Sequence, residues 1–280
     1  MLSPGVLALS VAVHRTLLSG APDGEARNTY ATALAIHLAA LGDSDAALAA
    51  TVDVVASLRT LTASNPARYE ADLASSLNNL SAYLSAAGDG AGALAAIREA
   101  VEVYRRLAAS NPARYEADLA SSLNNLSNRL SEVGDEAGAL AASREAVEIR
   151  RRLAASNPAR YEADLAMSLN NLSTYLSAAG DGAGALAAIR EAVEVSRRLA
   201  ASNPARYTTD LARSLSVMGD RLEEAGRPGE ALPLAEEAVR LNGPGAQAIP
   251  GGPAGRLHDV MLRDLERLRA TCAENADGPA

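Results

Sequence analysis

The chain has 280 residues, of which 48% are hydrophobic, and this content excludes a generally disordered polypeptide. It contains no Phe and no Trp, so the core must consist mainly of Ala, Leu and Val, small side chains that suit closely approaching helices. The net charge is −8, which argues against the basic face that a nucleic-acid-binding protein needs. The single cysteine, Cys272, excludes a disulfide within the chain and fits a reducing compartment, so we expect a cytoplasmic protein.

The first predicted element is a helix within residues 1–20. Its apolar run from Val6 to Val13 is too short to span a bilayer, and no basic segment precedes it. We therefore expect neither a membrane anchor nor a secretory signal. The pattern is that of the second helix of a repeat, so the chain is predicted to begin with half a repeat.

Five repeats with a period of 46 residues are predicted over residues 21–242. A constant period indicates that each repeat is one supersecondary unit that buries its hydrophobic face against its neighbours. The period is marked by an Asn-Pro pair that begins at Asn65, Asn111, Asn157 and Asn203, and by a glycine at Gly42, Gly88, Gly134, Gly180 and Gly226.

Each repeat is predicted to form two antiparallel helices, here called helix A and helix B. In the second repeat, Asn65 should cap helix A and Pro66 should occupy its first turn. Gly88 should end helix A, and Asp89 should cap helix B. The apolar stripe of helix A is predicted at Leu73, Leu77, Leu80 and Leu84.

Helix B of the same repeat has one apolar and one charged face. We expect Glu102 to pair with both Arg98 and Arg106 at i,i+4 spacing, which makes the charged face a solvated surface rather than a binding patch. The predicted inner residues are Ala93, Leu94, Ile97, Ala100, Val101, Tyr104 and Leu107.

The spacing of Leu77, Leu80, Leu84, Gly88, Ala93, Ile97 and Ala100 resembles that of the tetratricopeptide repeat. The Leu-Asn-Asn-Leu sequence in helix A resembles the kinesin-light-chain type of this repeat, which is also common in bacterial signalling proteins. The resemblance extends from about Ala26 to Asn242 and implies an all-α fold, a right-handed α-solenoid of antiparallel helix pairs. The repeat is longer than the basic one of about 34 residues, and the extra length, close to three helical turns, keeps both helices in phase.

Paired asparagines interrupt helix A in the three central repeats, as Asn78-Asn79, Asn124-Asn125 and Asn170-Asn171. On a helical wheel both members of a pair lie opposite the leucine stripe, outside the core. In tetratricopeptide arrays the A helices line the concave wall, so the resemblance implies that the first asparagines form a ladder along a groove. A carboxamide offers a donor and an acceptor to the backbone of an extended peptide. The alternative, that each asparagine braces the neighbouring helix, remains open for both members of the pair.

An arginine recurs near the start of helix A, at Arg68, Arg114, Arg160 and Arg206. Since it projects within about 80° of the first asparagine, we predict that it lines the same groove and favours a partner with carboxylates. The alternative is that Arg68 pairs with Asp72 four residues later. The position one turn after the first asparagine differs between repeats and is occupied by Asn128 and Thr174 in two of them. These two residues are also predicted to contact the peptide.

The sequence indicates no catalytic or metal-binding site. The Gly-rich segments at 88–92 and 180–184 precede no lysine and are explained by the turn of the repeat. Three scattered histidines, His14, His37 and His258, form neither a metal cluster nor a nucleophile–base pair with the single cysteine. We therefore expect no enzyme, no cofactor and no metal.

After the repeats, residues 243–253 are predicted to be a Gly/Pro linker, residues 254–272 a helix and residues 273–280 a disordered tail. The helix has one apolar side, and a solenoid needs such a surface over its last repeat, so we predict a capping helix. A flexible arm that presents the helix to a partner is the alternative. The apolar side consists of Leu257, Met261, Leu265 and Leu268.

These features predict a non-enzymatic protein–protein interaction module, monomeric, that binds an extended peptide or a partner protein in its concave groove. Neither nucleic acid nor a membrane is an expected partner. The alternative is a sensor region of a bacterial signalling system that works with a nucleotide-binding ATPase or a caspase-like protease, as similar bacterial repeats do. A third hypothesis is that the protein is an inert structural spacer.

Overall fold

A computed structural model describes residues 4–21, 24–248 and 252–276, which form α-helices and no strand. The chain divides into two compact units, Met1–Ala139 and Leu140–Ala280, called here the N-terminal and C-terminal units. The helices are α1 (Pro4–Gly20), α2 (Glu25–Ala40), α3 (Ser44–Ser64), α4 (Pro66–Ala86), α5 (Gly90–Ser110), α6 (Pro112–Glu132), α7 (Glu136–Ser156), α8 (Pro158–Ala178), α9 (Gly182–Ser202), α10 (Pro204–Glu224), α11 (Pro228–Ala248) and α12 (Pro253–Ala276).

Within each unit, every helix packs against the next one along the chain. In the N-terminal unit this holds from α1 to α6, and in the C-terminal unit from α8 to α12. Helices A also touch the next helix A, as α4 touches α6 and α8 touches α10. The predicted all-α solenoid of helix pairs is confirmed.

The helix ends follow from the residues that mark the period. Gly88 has φ +84°, a left-handed conformation that a side chain would disfavour, and it ends α4. Asp89 then caps α5, since its carboxylate accepts a hydrogen bond from the Gly92 N–H at 2.8 Å. Asn65 stands at the N-cap of α4 without a side-chain cap bond, whereas Asn111 accepts one from the Arg114 N–H at 3.3 Å.

The core lies between helices A and B. Leu77 and Ile97 are fully buried in a cluster with Leu73 and Ala100, while Leu80 and Leu84 pack at its edge and stay partly exposed. The same position of helix A is fully buried in the later repeats, at Leu123, Leu169 and Leu215. The predicted leucine stripe therefore faces helix B.

Ion pairs on the charged face of helix B join neighbouring helices, and this corrects the predicted pairing of Glu102. In the described part of the chain Glu102 pairs with neither Arg98 nor Arg106. Arg106 instead pairs with Glu70 of α4 at 3.4 Å. The prediction failed because helices stacked side by side bring carboxylates of adjacent helices within reach of a long side chain. The equivalent pair two repeats later is Arg198–Glu162, whereas Arg59–Glu99, Arg151–Glu191 and Arg197–Glu237 join successive B helices. The predicted i,i+4 pair does form at the corresponding position of α7, between Glu148 and Arg152.

The segment predicted as a Gly/Pro linker is partly helical, since α11 continues to Ala248 and includes Pro244. Two glycines in this part lie against α12 at ordinary contact distances. A Cβ on Gly243 would lie 3.8 Å from the His258 ring, and one on Gly245 would lie 3.6 Å from the Ala254 Cβ. Packing against α12 thus outweighs the helix-breaking tendency on which the prediction relied.

Helix α12 packs on the end of the C-terminal unit. Its Met261, Leu265 and Leu268 are buried, and Leu265 and Leu268 contact Ala231 and Ala235 of α11. The helix extends past the expected end at residue 272 to Ala276. The rest of the predicted tail, residues 277–280, lies outside the described residues.

Among the described helices, α3 is long and apolar enough by composition to cross a membrane, with a mean hydropathy of 1.3. Its Val54, Val55 and Leu58 belong to the core cluster that contains Leu77 of α4.

Candidate functional site

The candidate site is the face of each helix A that points away from helix B. Because the leucine stripe is buried against helix B, the residues opposite it are exposed. The exposed positions recur at spacings of three and four residues. They include Asp72, Ser75 and Ala82 in α4, Asp118, Ser121 and Asn125 in α6, Met167 and Thr174 in α8, and Asp210 and Arg213 in α10.

The first asparagines lie between neighbouring A helices and not on the exposed face. The Nδ2 of Asn78 donates to the Ser122 Oγ at 2.8 Å, and the Nδ2 of Asn170 donates to the Ser214 Oγ at 3.0 Å. Asn124 and Asn170 are only 8% and 9% exposed. The prediction that these residues lie outside the core is wrong, because the helical wheel considered helix B and omitted the next helix A.

The serines that receive these bonds are themselves fixed. The Ser122 hydroxyl donates to the Asp118 carbonyl at 2.9 Å, and the Ser214 hydroxyl donates to the Asp210 carbonyl at 3.2 Å. Each serine lone pair is therefore free to accept the asparagine N–H. The Asn–Ser bond connects α4 to α6 in the N-terminal unit and α8 to α10 in the C-terminal unit, so these asparagines act as braces.

The second asparagines are more accessible. Asn125 is exposed, and Asn79 and Asn171 are half-buried. Asn125 also supports the brace, since its Nδ2 donates to the Asn78 Oδ1 at 3.4 Å. Among the remaining predicted residues, Asn128 is half-buried, whereas Thr174 is exposed.

The four arginines of the predicted series are exposed at the first turn of helices A. Arg68 forms an ion pair with Glu25 of α2 rather than with Asp72. Within the described chain, Arg114, Arg160 and Arg206 have no carboxylate partner. Each guanidinium lies over the ring of the next residue, with distances of 5.0 to 5.5 Å from the carbon to the ring centre, in the pairs Arg68–Tyr69, Arg114–Tyr115, Arg160–Tyr161 and Arg206–Tyr207.

One buried position of helix B changes its chemistry from repeat to repeat. The Tyr104 hydroxyl donates to the Ala71 carbonyl at 3.3 Å, and burial raises the pKa of Tyr104 above its ordinary value. In the next repeat the guanidinium Nη1 of Arg150 donates to the Asp164 carboxylate at 2.8 Å. The patterns described from the sequence did not identify this position as variable, although aligning the repeats shows that its residue type changes. The five residues, all buried, are Leu58, Tyr104, Arg150, Ser196 and Asn242.

Clefts open between adjacent A helices. The cleft between α8 and α10 has a volume of about 250 Å³ and is lined by Asn170, Ser196 and Tyr207 among others. The cleft between α2 and α4 has a volume of about 320 Å³ and is lined by Asn28 and Tyr69 among others. No group of His, Cys, Asp and Glu side chains in the described residues could hold a metal ion.

Two family models, both described as tetratricopeptide repeat, match the chain. One matches residues 73–111, 119–157 and 165–203, and the other matches residues 29–51 and 206–237. Together these segments make up more than half of the sequence. Among curated proteins, no sequence matches the chain.

Solved structures with a similar fold include kinesin-light-chain-like proteins. BtubC (BKLC) from P. vanneervenii has a TM-score of 0.64 and 20% identity, over 89% of this chain and 92% of that chain. A Podosopora anserina protein with nearly identical TPR-like repeats, described as a kinesin light chain, has a TM-score of 0.54 and 16% identity, over 90% of this chain and all of that chain. These likenesses confirm the solenoid fold and agree with the kinesin-light-chain resemblance of the sequence.

Proposed function

Since the chain belongs to the tetratricopeptide repeat family, whose repeats form protein–protein interaction scaffolds, we propose that it binds an extended segment of a partner protein along the exposed faces of its A helices. The observation that carries this proposal is the recurring arginine at the first turn of these helices. Arg114, Arg160 and Arg206 are exposed and have no carboxylate partner within the described residues. They are available to a ligand.

The charge of this region favours acidic side chains on the partner. The N-terminal end of a helix carries a partial positive charge, and each arginine adds a full one at the same place. Arg206 lies at the start of α10, one turn before Asp210, which is also exposed. A partner carboxylate is therefore favoured at the first turn, and a neutral or cationic group is favoured one turn later.

The asparagines have two separate roles in this proposal. Asn78 and Asn170 brace neighbouring A helices through their Nδ2 groups, so these donors are not available to a partner. The more accessible Asn79, Asn125 and Asn171, with Asn128 and Thr174, supply amides and hydroxyls to the backbone of the bound segment. The peptide-binding face is thus shifted from the first asparagine of each pair to the second.

A selection from a library of random 12-residue peptides, displayed and sorted for binding to the full chain, tests this function. We expect the selected peptides to be rich in Asp and Glu, and their affinity to fall as salt rises, because exposed ion pairs are screened within a Debye length of about 8 Å. The double variant Arg160→Gln and Arg206→Gln should lower the affinity several-fold and flatten the salt dependence.

The matched control is the double variant Arg190→Gln and Arg240→Gln, which removes the same charge from exposed positions on α9 and α11. It should leave peptide binding nearly unchanged. If both double variants weaken binding equally, or if no acidic peptide is enriched, the proposed face is not the binding site.

A further inference from the structure

Two of the positions at which the contact between α8 and α10 differs from the contact between α4 and α6 change the interior of the contact. The buried Tyr104 of α5 is replaced two repeats later by Ser196 of α9. Asn125 of α6 is replaced at the corresponding position of α10 by Val217. The first change removes a ring, and the second removes a hydrogen-bond donor.

The missing ring leaves space. Tyr104 is buried, and its hydroxyl reaches the Ala71 carbonyl of the neighbouring helix A. At the equivalent place beside Ser196 lies the cleft of about 250 Å³. Much of its lining is apolar or aromatic, from Ala163, Ala166, Met167, Leu199 and Tyr207.

The missing donor leaves a buried acceptor unpaired. The Asn78 Oδ1 accepts a hydrogen bond from the Asn125 Nδ2, but Val217 cannot supply one to Asn170. Asn170 lines the cleft and is 9% exposed, and its buried Oδ1 has no hydrogen-bond partner in the described part of the chain. A buried carbonyl without a donor is destabilising, so a ligand that supplies one is favoured.

Ser196 supplies a second acceptor. The Ser214 hydroxyl donates to the Asp210 carbonyl, so in the 3.1 Å contact between the two serines Ser196 is the donor. The lone pairs of Ser196 then remain available. The cleft therefore combines a partly apolar, ring-sized space with acceptors at Asn170 and Ser196, in addition to the carboxylates of Asp164 and Asp210 that also line it.

Two planar side chains of this protein occupy the equivalent position in other repeats, the phenol of Tyr104 and the guanidinium of Arg150. Both donate hydrogen bonds to a neighbouring helix A or its side chains. The two carboxylates that line the cleft are already paired, Asp164 with Arg150 and Asp210 with Arg213. A further guanidinium would therefore meet the positive charge of Arg206, which also lines the cleft. A neutral phenol avoids this repulsion.

We propose that the cleft between α8 and α10 binds a tyrosine side chain of a partner, with its ring in the space that Tyr104 fills elsewhere and its hydroxyl donating to the acceptors of Asn170 and Ser196. The cleft itself follows from the two replacements, whereas the presence of the tyrosine in a partner segment rests on the proposed function. The inference thus names one side chain that the bound segment should contain.

The test uses 4-methylphenol and toluene as probes of the full ¹⁵N-labelled chain. We expect 4-methylphenol to shift the amides of Ala166, Asn170 and Ser196 in a saturable way, about tenfold more tightly than toluene, since one hydrogen bond to a buried acceptor separates the two. Ser196→Tyr should abolish these shifts. Tyr104→Ser should open a second ring-sized site and add shifts around Ala74.

Equal affinity for toluene and 4-methylphenol, or unchanged binding to Ser196→Tyr, would overturn the inference. If Ser196→Tyr does not fold, Ser196→Leu closes the cleft with the residue type that Leu58 places there. The outcomes also separate the two proposals. Binding of 4-methylphenol without selection of acidic peptides contradicts the proposed function alone, and the reverse result contradicts the tyrosine site alone.

Discussion

The α4–α6 contact of the N-terminal unit and the α8–α10 contact of the C-terminal unit have the same asparagine–serine hydrogen bond. They differ in the helix B side chain that lies beneath that bond. In both, an asparagine Nδ2 donates to a serine of the next helix A, from Asn78 to Ser122 and from Asn170 to Ser214. Beneath the first lies Tyr104, and beneath the second lies Ser196 beside an open cleft. The two contacts therefore share the hydrogen bond that positions their A helices and differ in the buried helix B residue beneath it. A change of that residue can alter binding specificity without altering the fold.

The largest expected effect on stability comes from replacing the buried side chain beneath the α4–α6 contact. Tyr104→Ser should lower the free energy of unfolding by about 3 kcal/mol, because it removes a buried ring and leaves a cavity. Ser196→Ala should change it by less than about 1 kcal/mol, since this hydroxyl makes one buried contact. Urea unfolding followed by circular dichroism measures both.

The reverse substitution, which adds a ring beneath the α8–α10 contact, tests the same comparison. Ser196→Tyr should leave stability unchanged or raise it, because the cleft already has the space that a ring needs. A loss as large as that of Tyr104→Ser would show that the α8–α10 contact is closed and that the comparison of the two contacts is wrong.

The helix pairs could be predicted from sequence because their signals are local. Gly88, Asp89 and the leucine stripe each act within a few residues, and the structure confirms them. The burial of Asn170 could not be predicted in the same way, because it depends on a neighbouring helix, whose Ser214 lies 44 residues away in the sequence. The helical part of the expected linker escaped prediction for a similar reason, since α12 packs against its glycines.

The braces should differ in strength between the two contacts. Asn78 uses both ends of its amide, with Ser122 and Asn125, whereas Asn170 uses its Nδ2 and leaves its Oδ1 without a partner. We expect Asn78→Ala to cost about 1–2 kcal/mol and Asn170→Ala to cost less, because the second change also removes an unpaired buried carbonyl. Denaturant midpoints of the two variants give the comparison.

Asn79→Ala is the matched control for this experiment, because Asn79 is the adjacent, half-buried member of the first pair. It should be neutral or slightly stabilising, as alanine is the better helix former. Were Asn78→Ala equally neutral, the Asn78–Ser122 bond would not be a brace, and the groove role first assigned to Asn78 would be restored.

A third replacement in α10 lies at its contact with α12 and makes that contact sensitive to pH. Where α6 has Asn128, α10 has Asp220, which lies 3.8 Å from Arg267 of α12. Burial, and next the nearby Asp264 carboxylate, raise the pKa of Asp220 to about 6, while Arg221 and Arg267 oppose the shift and Glu223 adds to it. A carboxyl whose pKa is raised by folding stabilises the folded chain in its neutral form, so its contribution is full below the unfolded value of 3.8 and is lost as pH rises through about 6.

An effect on stability that depends on pH follows from this shift. Asp220→Asn mimics the neutral carboxyl, so it should raise the free energy of unfolding at pH 7.5 and give no gain at pH 4. The gain should be about 1 kcal/mol, less than the full pKa shift would give, because the Asp220 side chain is 36% exposed and solvent screens its charge. Urea unfolding at both pH values, with hydrogen exchange of α12 as a local readout, measures it. Asp259→Asn, which removes an exposed carboxylate from α12, is the control for the loss of one negative charge near this contact. A gain for Asp220→Asn that is the same at pH 4 as at pH 7.5 would mean that the variant acts through helix propensity or packing, and that the charge of Asp220 does not oppose the docking of α12.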